Sequence, residues 1–230
     1  MGNDLSINSP RFQQQKNLKG LNPTDNLKSN INYKFNDSNN TAMIIGINNL
    51  SNTIFIPRTV KHNMRDYFVT EISEGSFQNL FIQLVQFEAN SEVRIIGKNA
   101  FAYSMITNIT IPQHVTEICE NAFFNCQLLK QVNFQENSEL NKIGEKSFSQ
   151  CAIENINIPS HVKEIYPMAF YCCNQLKTVE FSENSELKII GNKAFYNSII
   201  EDITIPTSVV EFKDGWNTGM KNLKTIRISE

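Results

Sequence analysis

A forty-residue passage occurs twice in this chain. Ile109 to Phe148 reads ITIPQHVTEICENAFFNCQLLKQVNFQENSELNKIGEKSF, and Ile156 to Phe195 reads INIPSHVKEIYPMAFYCCNQLKTVEFSENSELKIIGNKAF, at an offset of 47. Such repetition narrows the possible folds sharply. A unit too small to enclose a core must bury its apolar side against the next unit, so the chain stacks rather than closing on itself.

Finer repeats lie inside the long one. Apolar residues one apart recur as Ile54/Ile56, Val85/Phe87, Ile109/Ile111, Val132/Phe134, Ile156/Ile158, Val179/Phe181, Ile203/Ile205 and Ile226/Ile228, with starts spaced 31, 24, 23, 24, 23, 24 and 23 residues. Side chains alternate across a strand, so each pair faces the core and the residue between faces out. One strand per unit at a period of about 20–29 residues predicts a leucine-rich-repeat type solenoid. The expected fold class is α/β, with about eight parallel strands on the concave face and short helices or turns on the convex face.

Two unit types alternate. In the first the strand ends in Pro57, Pro112, Pro159 or Pro206; lacking an N–H, proline is expected there to close the ladder without breaking it. In the second an Asn-Ser-Glu run begins at Asn90, Asn137 or Asn184, and Gly97, Gly144 or Gly191 follows, expected in a turn with positive φ. Phe101, Phe148 and Phe195 come next and are expected to stack in the core.

The register breaks at both ends. Residues 1–30 are polar and predicted disordered. Gly2, with Ser6 four residues on, fits the myristoylation pattern, whereas a plain polar start accounts for the same residues. Residues 31–53 read as a capping, decayed repeat in which Ile44-Ile45-Gly46 aligns with Ile95-Ile96-Gly97, and residues 54–230 form the array. Nine more residues separate Pro57 from Val69 than separate Pro112 from Val115, an insertion that maps to a rim loop. At the far end Trp216 takes an alanine position, and the Ile226-Arg227-Ile228 strand leaves an edge open to self-association.

Position by position, Leu176-Lys177-Thr178-Val179, Ile156-Asn157-Ile158-Pro159, Val162, Ile165, Ala169-Phe170 and Cys173 follow the pattern of one family. From about 54 to 228 the chain resembles the BspA-like leucine-rich repeat family. That resemblance implies a right-handed solenoid of parallel strands. It also implies a place on the surfaces of bacteria and mucosal protists, in adhesion, binding of host matrix proteins and immune recognition.

For function, the informative residues are those facing outward from the strands: Phe55, Gln86, Thr110, Asn133, Asn157, Glu180, Thr204 and Arg227. Uncharged through its middle and rich in hydrogen-bonding groups, this face suits a protein or a glycan, and a merely solvated face would look the same. In the insertion, His62, Met64, Tyr67 and Phe68 offer anchors for a partner, or the rings tuck onto the core. A formal charge of -2 and a pI near 6.0 argue against nucleic acid. No apolar run reaches the roughly 20 residues of a membrane span. Cys126, Cys151 and Cys173 share one slot three residues after a repeat Phe, which fits either stacked disulfides or small buried thiols. No spacing suggests a metal site, a cofactor or a nucleophile. The expectation is a non-enzymatic interaction protein: a surface adhesin by family resemblance or, without an N-terminal apolar leader, an intracellular scaffold.

Overall fold

The computed structural model describes residues 31–48 and 51–229; the expectations for Gly2 and for residues 1–30 lie outside them. The described residues begin with a hairpin of β1 (Ile31–Asn36) and β2 (Thr41–Ile47). Next come β3 (Thr53–Ile56), then a second hairpin of β4 (Thr59–His62) and β5 (Arg65–Ile72). Each later coil contributes one four-residue strand and one two-residue strand. They follow in order as β6 (Leu84–Phe87), β7 (Ile95–Ile96), β8 (Asn108–Ile111), β9 (Glu117–Ile118), β10 (Gln131–Phe134) and β11 (Lys142–Ile143). The array continues through β12 (Asn155–Ile158), β13 (Glu164–Ile165), β14 (Thr178–Phe181), β15 (Ile189–Ile190), β16 (Asp202–Ile205), β17 (Glu211–Phe212) and β18 (Thr225–Ile228).

All eight apolar pairs read from the sequence lie on the four-residue strands, which run parallel along one side of a β-solenoid of about eight turns. Ile109, Ile111, Ile156, Ile158, Ile203 and Ile205 are buried, as the alternation requires, whereas Ile226 and Ile228 are exposed, because among the described residues no later coil covers them. The two-residue strands form a second parallel ladder that runs from β5 to β17 and is headed by the β1–β2 hairpin. The hairpin covers the first coil, but its register is one residue off the sequence alignment. Ile44, not Ile45, stands level with Ile72 and Ile96, because the β2–β5 pairing shifts between Ala42 and Met43. The shift leaves Ile45 exposed and Ile44 buried.

The third side corrects the expected fold class. Among the described residues there is no helix. The convex side is built of turns that share their ends: Ala100 N donates to Gly97 O, Ala102 N to Asn99 O and Ser104 N to Phe101 O. The N–H groups between them reach the next coil, Asn99 to Glu120, Phe101 to Ala122 and Tyr103 to Phe124. Backbone donors therefore alternate between their own turn and the neighbouring coil, so none of the six is orphaned. A residue with positive φ sits on each flank of the core position: Asn99 and Tyr103, Asn121 and Asn125, Lys146 and Gln150, Met168 and Cys172, Lys193 and Asn197. A right-handed helix cannot pass through left-handed residues four apart, whereas a type II turn asks for one at its third position.

Between those flanks Phe77, Phe101, Phe123, Phe148, Phe170 and Phe195 stack in one column, with successive ring centroids 5.1, 5.2, 5.2, 5.5 and 5.6 Å apart. Each ring is fully buried, worth up to about 3 kcal/mol of transfer free energy. The repeat glycines serve a purpose other than the one expected. Gly97, Gly144 and Gly191 lie outside the positive-φ set. They are instead pressed against the preceding coil: a Cβ on Gly144 would lie 2.7 Å from Ile118 O and from the Cys119 carbonyl carbon. The contact is backbone to backbone, so no side chain fits.

Candidate recognition surface

The alternation of unit types shows itself on the strand face. From a proline coil to the glycine coil after it, the strands pair along their whole length, β8 with β10 and β12 with β14 at four positions each. From a glycine coil to the next proline coil they meet at most once, at Leu84 with Asn108 and at Gln131 with Asn155, and β14 and β16 share no bridge. Proline removes one of the missing bonds. Where a glycine coil leaves its strand, Gln135 N donates to Ile111 O and Ser182 N to Ile158 O. At the equivalent place Pro159 has no N–H to give Phe134 O. The expectation that proline leaves the ladder unbroken thus holds toward the following coil and fails toward the preceding one.

Over the open junction between β10 and β12 lies a concavity of about 1000 Å³. Its walls carry Gln131, Asn133 and Gln135 from one coil, Asn155, Asn157 and Ser160 from the next, and Thr178, Glu180 and Ser182 beyond. Amides and hydroxyls also bind each other across the coils: Thr178 Oγ1 donates to Asn155 Oδ1, and Ser182 Oγ to Asn157 Oδ1 at 3.3 Å. Gln135 Oε1 accepts the backbone N–H of Gln113 at 2.9 Å. The side chains are thereby held before any partner arrives. Within the two strands Asn133, Phe134, Asn157 and Ile158 have no bridge partner across the junction.

The outward residues named from the sequence divide by place. Asn133, Asn157 and Glu180 line the concavity, while Thr110 stands beside Asn133 in the next register. Phe55 pairs with Gln86 at the N-terminal end, and Thr204 with Arg227 at the C-terminal end, where Arg227 lies 3.6 Å from Asp202. Gln131, Asn155 and Thr178 were overlooked. They begin their strands, and alternation alone would have placed them on the same face as the residue two further on.

The insertion is a hairpin on the opposite ladder, so it and the concave face are separate surfaces. His62 faces Arg65 across a two-residue turn, and Asn63 and Met64 both have positive φ, as a type I′ hairpin turn demands. Met64 at the tip is fully exposed. Of the two roles open to the rings, Tyr67 takes the core, 1% exposed, with its hydroxyl donating to Asp37. The His62 ring stacks on Phe35 at 4.1 Å, and the Arg58 guanidinium lies over the exposed Phe68 ring at 5.4 Å.

The cysteine slot holds free thiols. Cys126 Sγ donates to Phe101 O, Cys151 Sγ to Phe123 O and Cys173 Sγ to Phe148 O, each at 3.1 Å. Burial pushes the Cys173 thiol up to about 12 and holds Cys151 well above the usual thiol range, which deprives both of nucleophilic character at neutral pH. His114 Nδ1 lies 2.8 Å from Glu139 Oε1 on the neighbouring coil, a half-exposed pair that ties two coils together.

Comparison with known proteins agrees with this geometry. The model of the BspA type leucine rich repeat region matches in six copies over residues 3–106 and 94–224, and the chain belongs to that family. Among solved structures it is similar to the pneumococcal vaccine antigen PcpA, with 23% identity and a TM-score of 0.64 over 88% of this chain and 49% of that one. A leucine rich cell surface protein from Faecalibacterium prausnitzii gives 25% identity and a TM-score of 0.61 over 87% and 53%. A leucine-rich repeat protein from Bacteroides ovatus gives 22% and 0.55 over 86% and 65%. The chain thus spans about half to two thirds of the length of these structures. No curated protein matches it significantly.

Proposed function

We propose that the chain is a non-enzymatic recognition module of a cell surface, and that it holds a host or matrix protein on its concave strand face at the open junction between β10 and β12. The groove there carries the reading. Its lining is mostly neutral, already ordered, and includes strand residues without a bridge partner across the junction. The side-chain amides and hydroxyls that point out of the strand face offer directional contacts to the polar groups of a protein segment laid across it. The surface setting is supported by the family and by the likeness to the Faecalibacterium prausnitzii cell surface protein.

Binding of immobilised matrix proteins to the full chain tests this. Replacing Asn133 and Asn157 together by Ala is expected to abolish capture, and Met64→Ser at the hairpin tip to leave it unchanged. Because the lining is mostly neutral, with Lys130 set against Glu136, Glu154 and Glu180, raising the salt from about 50 to 500 mM should weaken binding by no more than about threefold. Full capture by the double variant would remove the groove from the account. Failure of antibodies to label intact cells, with labelling after permeabilisation, would replace the surface role with an intracellular scaffold.

A further inference from the structure

The convex side carries a second row of side chains, one residue after each core Phe: Phe124, Ser149, Tyr171 and Tyr196 in successive coils. Tyr171 and Tyr196 are stacked, 4.8 Å apart and 9° from parallel, so one face of Tyr171 is already used. On its other side the row is interrupted. Ser149 is small and buried, and Phe124 and Tyr171 stand two coil steps apart, about 10 Å, with no ring between them. A groove of about 540 Å³ runs over this interruption, with both rings in its walls.

We propose that this convex groove is a saccharide site, in which a neutral hexopyranose ring packs against the groove-facing sides of Phe124 and Tyr171 above the buried Ser149. A pyranose presents C–H groups on its faces, which suit aromatic walls, and hydroxyls around its rim, which need hydrogen-bonding partners. The rim supplies them in Asn99, Asn121 and Gln150, more neutral polar groups than an inserted phenyl ring could use. No carboxylate lines the groove. Its two ammonium groups are occupied, Lys146 with Glu145 at 2.8 Å and Lys193 over the Tyr196 ring at 5.9 Å, so the fitting sugar carries no charge. The site lies on the turn side of the coils, apart from the groove on the strand face.

Saturation-transfer NMR on the full chain with maltotetraose, cellotetraose and mannotriose tests the assignment. At least one of the three is expected to bind, and Tyr171→Ala to weaken it about tenfold. Ser149→Phe raises a ring from the groove floor between Phe124 and Tyr171, so it should abolish saccharide binding, with some loss of thermal midpoint because Ser149 is 1% exposed. Asn133→Ala with Asn157→Ala should leave saccharide binding intact, which separates this site from the strand-face reading. The proposal is overturned if none of the three sugars binds, or if binding survives Ser149→Phe. It is also overturned if a tyrosine-bearing peptide saturates the groove and the sugars do not. Should Ser149→Phe fail to fold by circular dichroism, unchanged binding in Tyr171→Ala overturns it alone.

Discussion

The two kinds of junction between coils are built from the same core and differ on its outside. Where a glycine coil follows a proline coil, Gly144 lets two backbones touch and all four strand residues pair. Where a proline coil follows a glycine coil, Tyr166 stands in the glycine's place and Pro159 withholds a donor, and the strands share one bridge. The aromatic column ignores the difference: ring spacings are 5.2 Å across Phe123 and Phe148 at a closed junction and 5.5 Å across Phe148 and Phe170 at an open one. The two-residue strands ignore it too, since β11 pairs with both neighbours at two positions each. Stability is thus carried by the side of the coil that repeats uniformly, which leaves the strand face free to open at regular intervals. The groove sits at one such opening.

Four measurements can break or sharpen this contrast. Phe148→Ala removes a ring that serves both junctions and should cost about 3–5 kcal/mol in chemical denaturation, the largest loss of the set. Gly144→Ala touches only the closed junction. Its Cβ would meet backbone that cannot step aside, and the expected cost is about 1–3 kcal/mol. If Gly144→Ala costs nothing measurable, close backbone approach is not what distinguishes the two junctions.

Pro159→Ala acts on the open junction. It returns an N–H opposite Phe134 O, worth about 0.5–1.5 kcal/mol if the bond forms, against about 0.4–1 kcal/mol of unfolded-state entropy that proline had removed. Net stability should therefore move by less than about 1 kcal/mol, while hydrogen exchange should show the new amide at position 159 protected and partner capture should fall. A rapidly exchanging amide there would mean that something other than the missing donor holds the strands apart. The smallest effect is expected at the thiols. With Cys173 pushed up to about 12 and Cys151 raised by burial, neither should react with a thiol reagent as the pH rises from 7 to 9, and both should react once the chain unfolds. Labelling at Cys151 or Cys173 in the native protein, read site by site because Cys119 and Cys172 are part-exposed, would place an opening in the column where none is drawn.

Much of this architecture can be read from the residues. Period, strand positions, the buried Ile pairs up to Ile203/Ile205 and the shared Cys slot follow from repetition, because a stacked array must present the same side to each neighbour; the Ile226/Ile228 pair, exposed, does not follow it. The column of phenylalanines follows as well. What repetition could not supply was the third side of the coil. Ala-Phe flanked by Asn or Lys scores as readily for a helical turn as for linked β-turns, and only hydrogen bonding to the next coil decides between them.

The sites were less legible than the frame. Asn133, Asn157 and Glu180 could be assigned to the outward face from alternation alone, but not gathered into a groove, since the opening depends in part on a donor that Pro159 lacks toward a strand 24 residues earlier. Tyr67 and Phe68 are adjacent in sequence and differ wholly in burial, because the hairpin's pairing turns one inward and the other out. Local pattern thus determined what each coil contains and which way each strand residue points. How closely successive coils approach, and so where the surface opens, was decided only in the assembled stack, where a missing N–H or a missing Cβ meets the atom it would have touched.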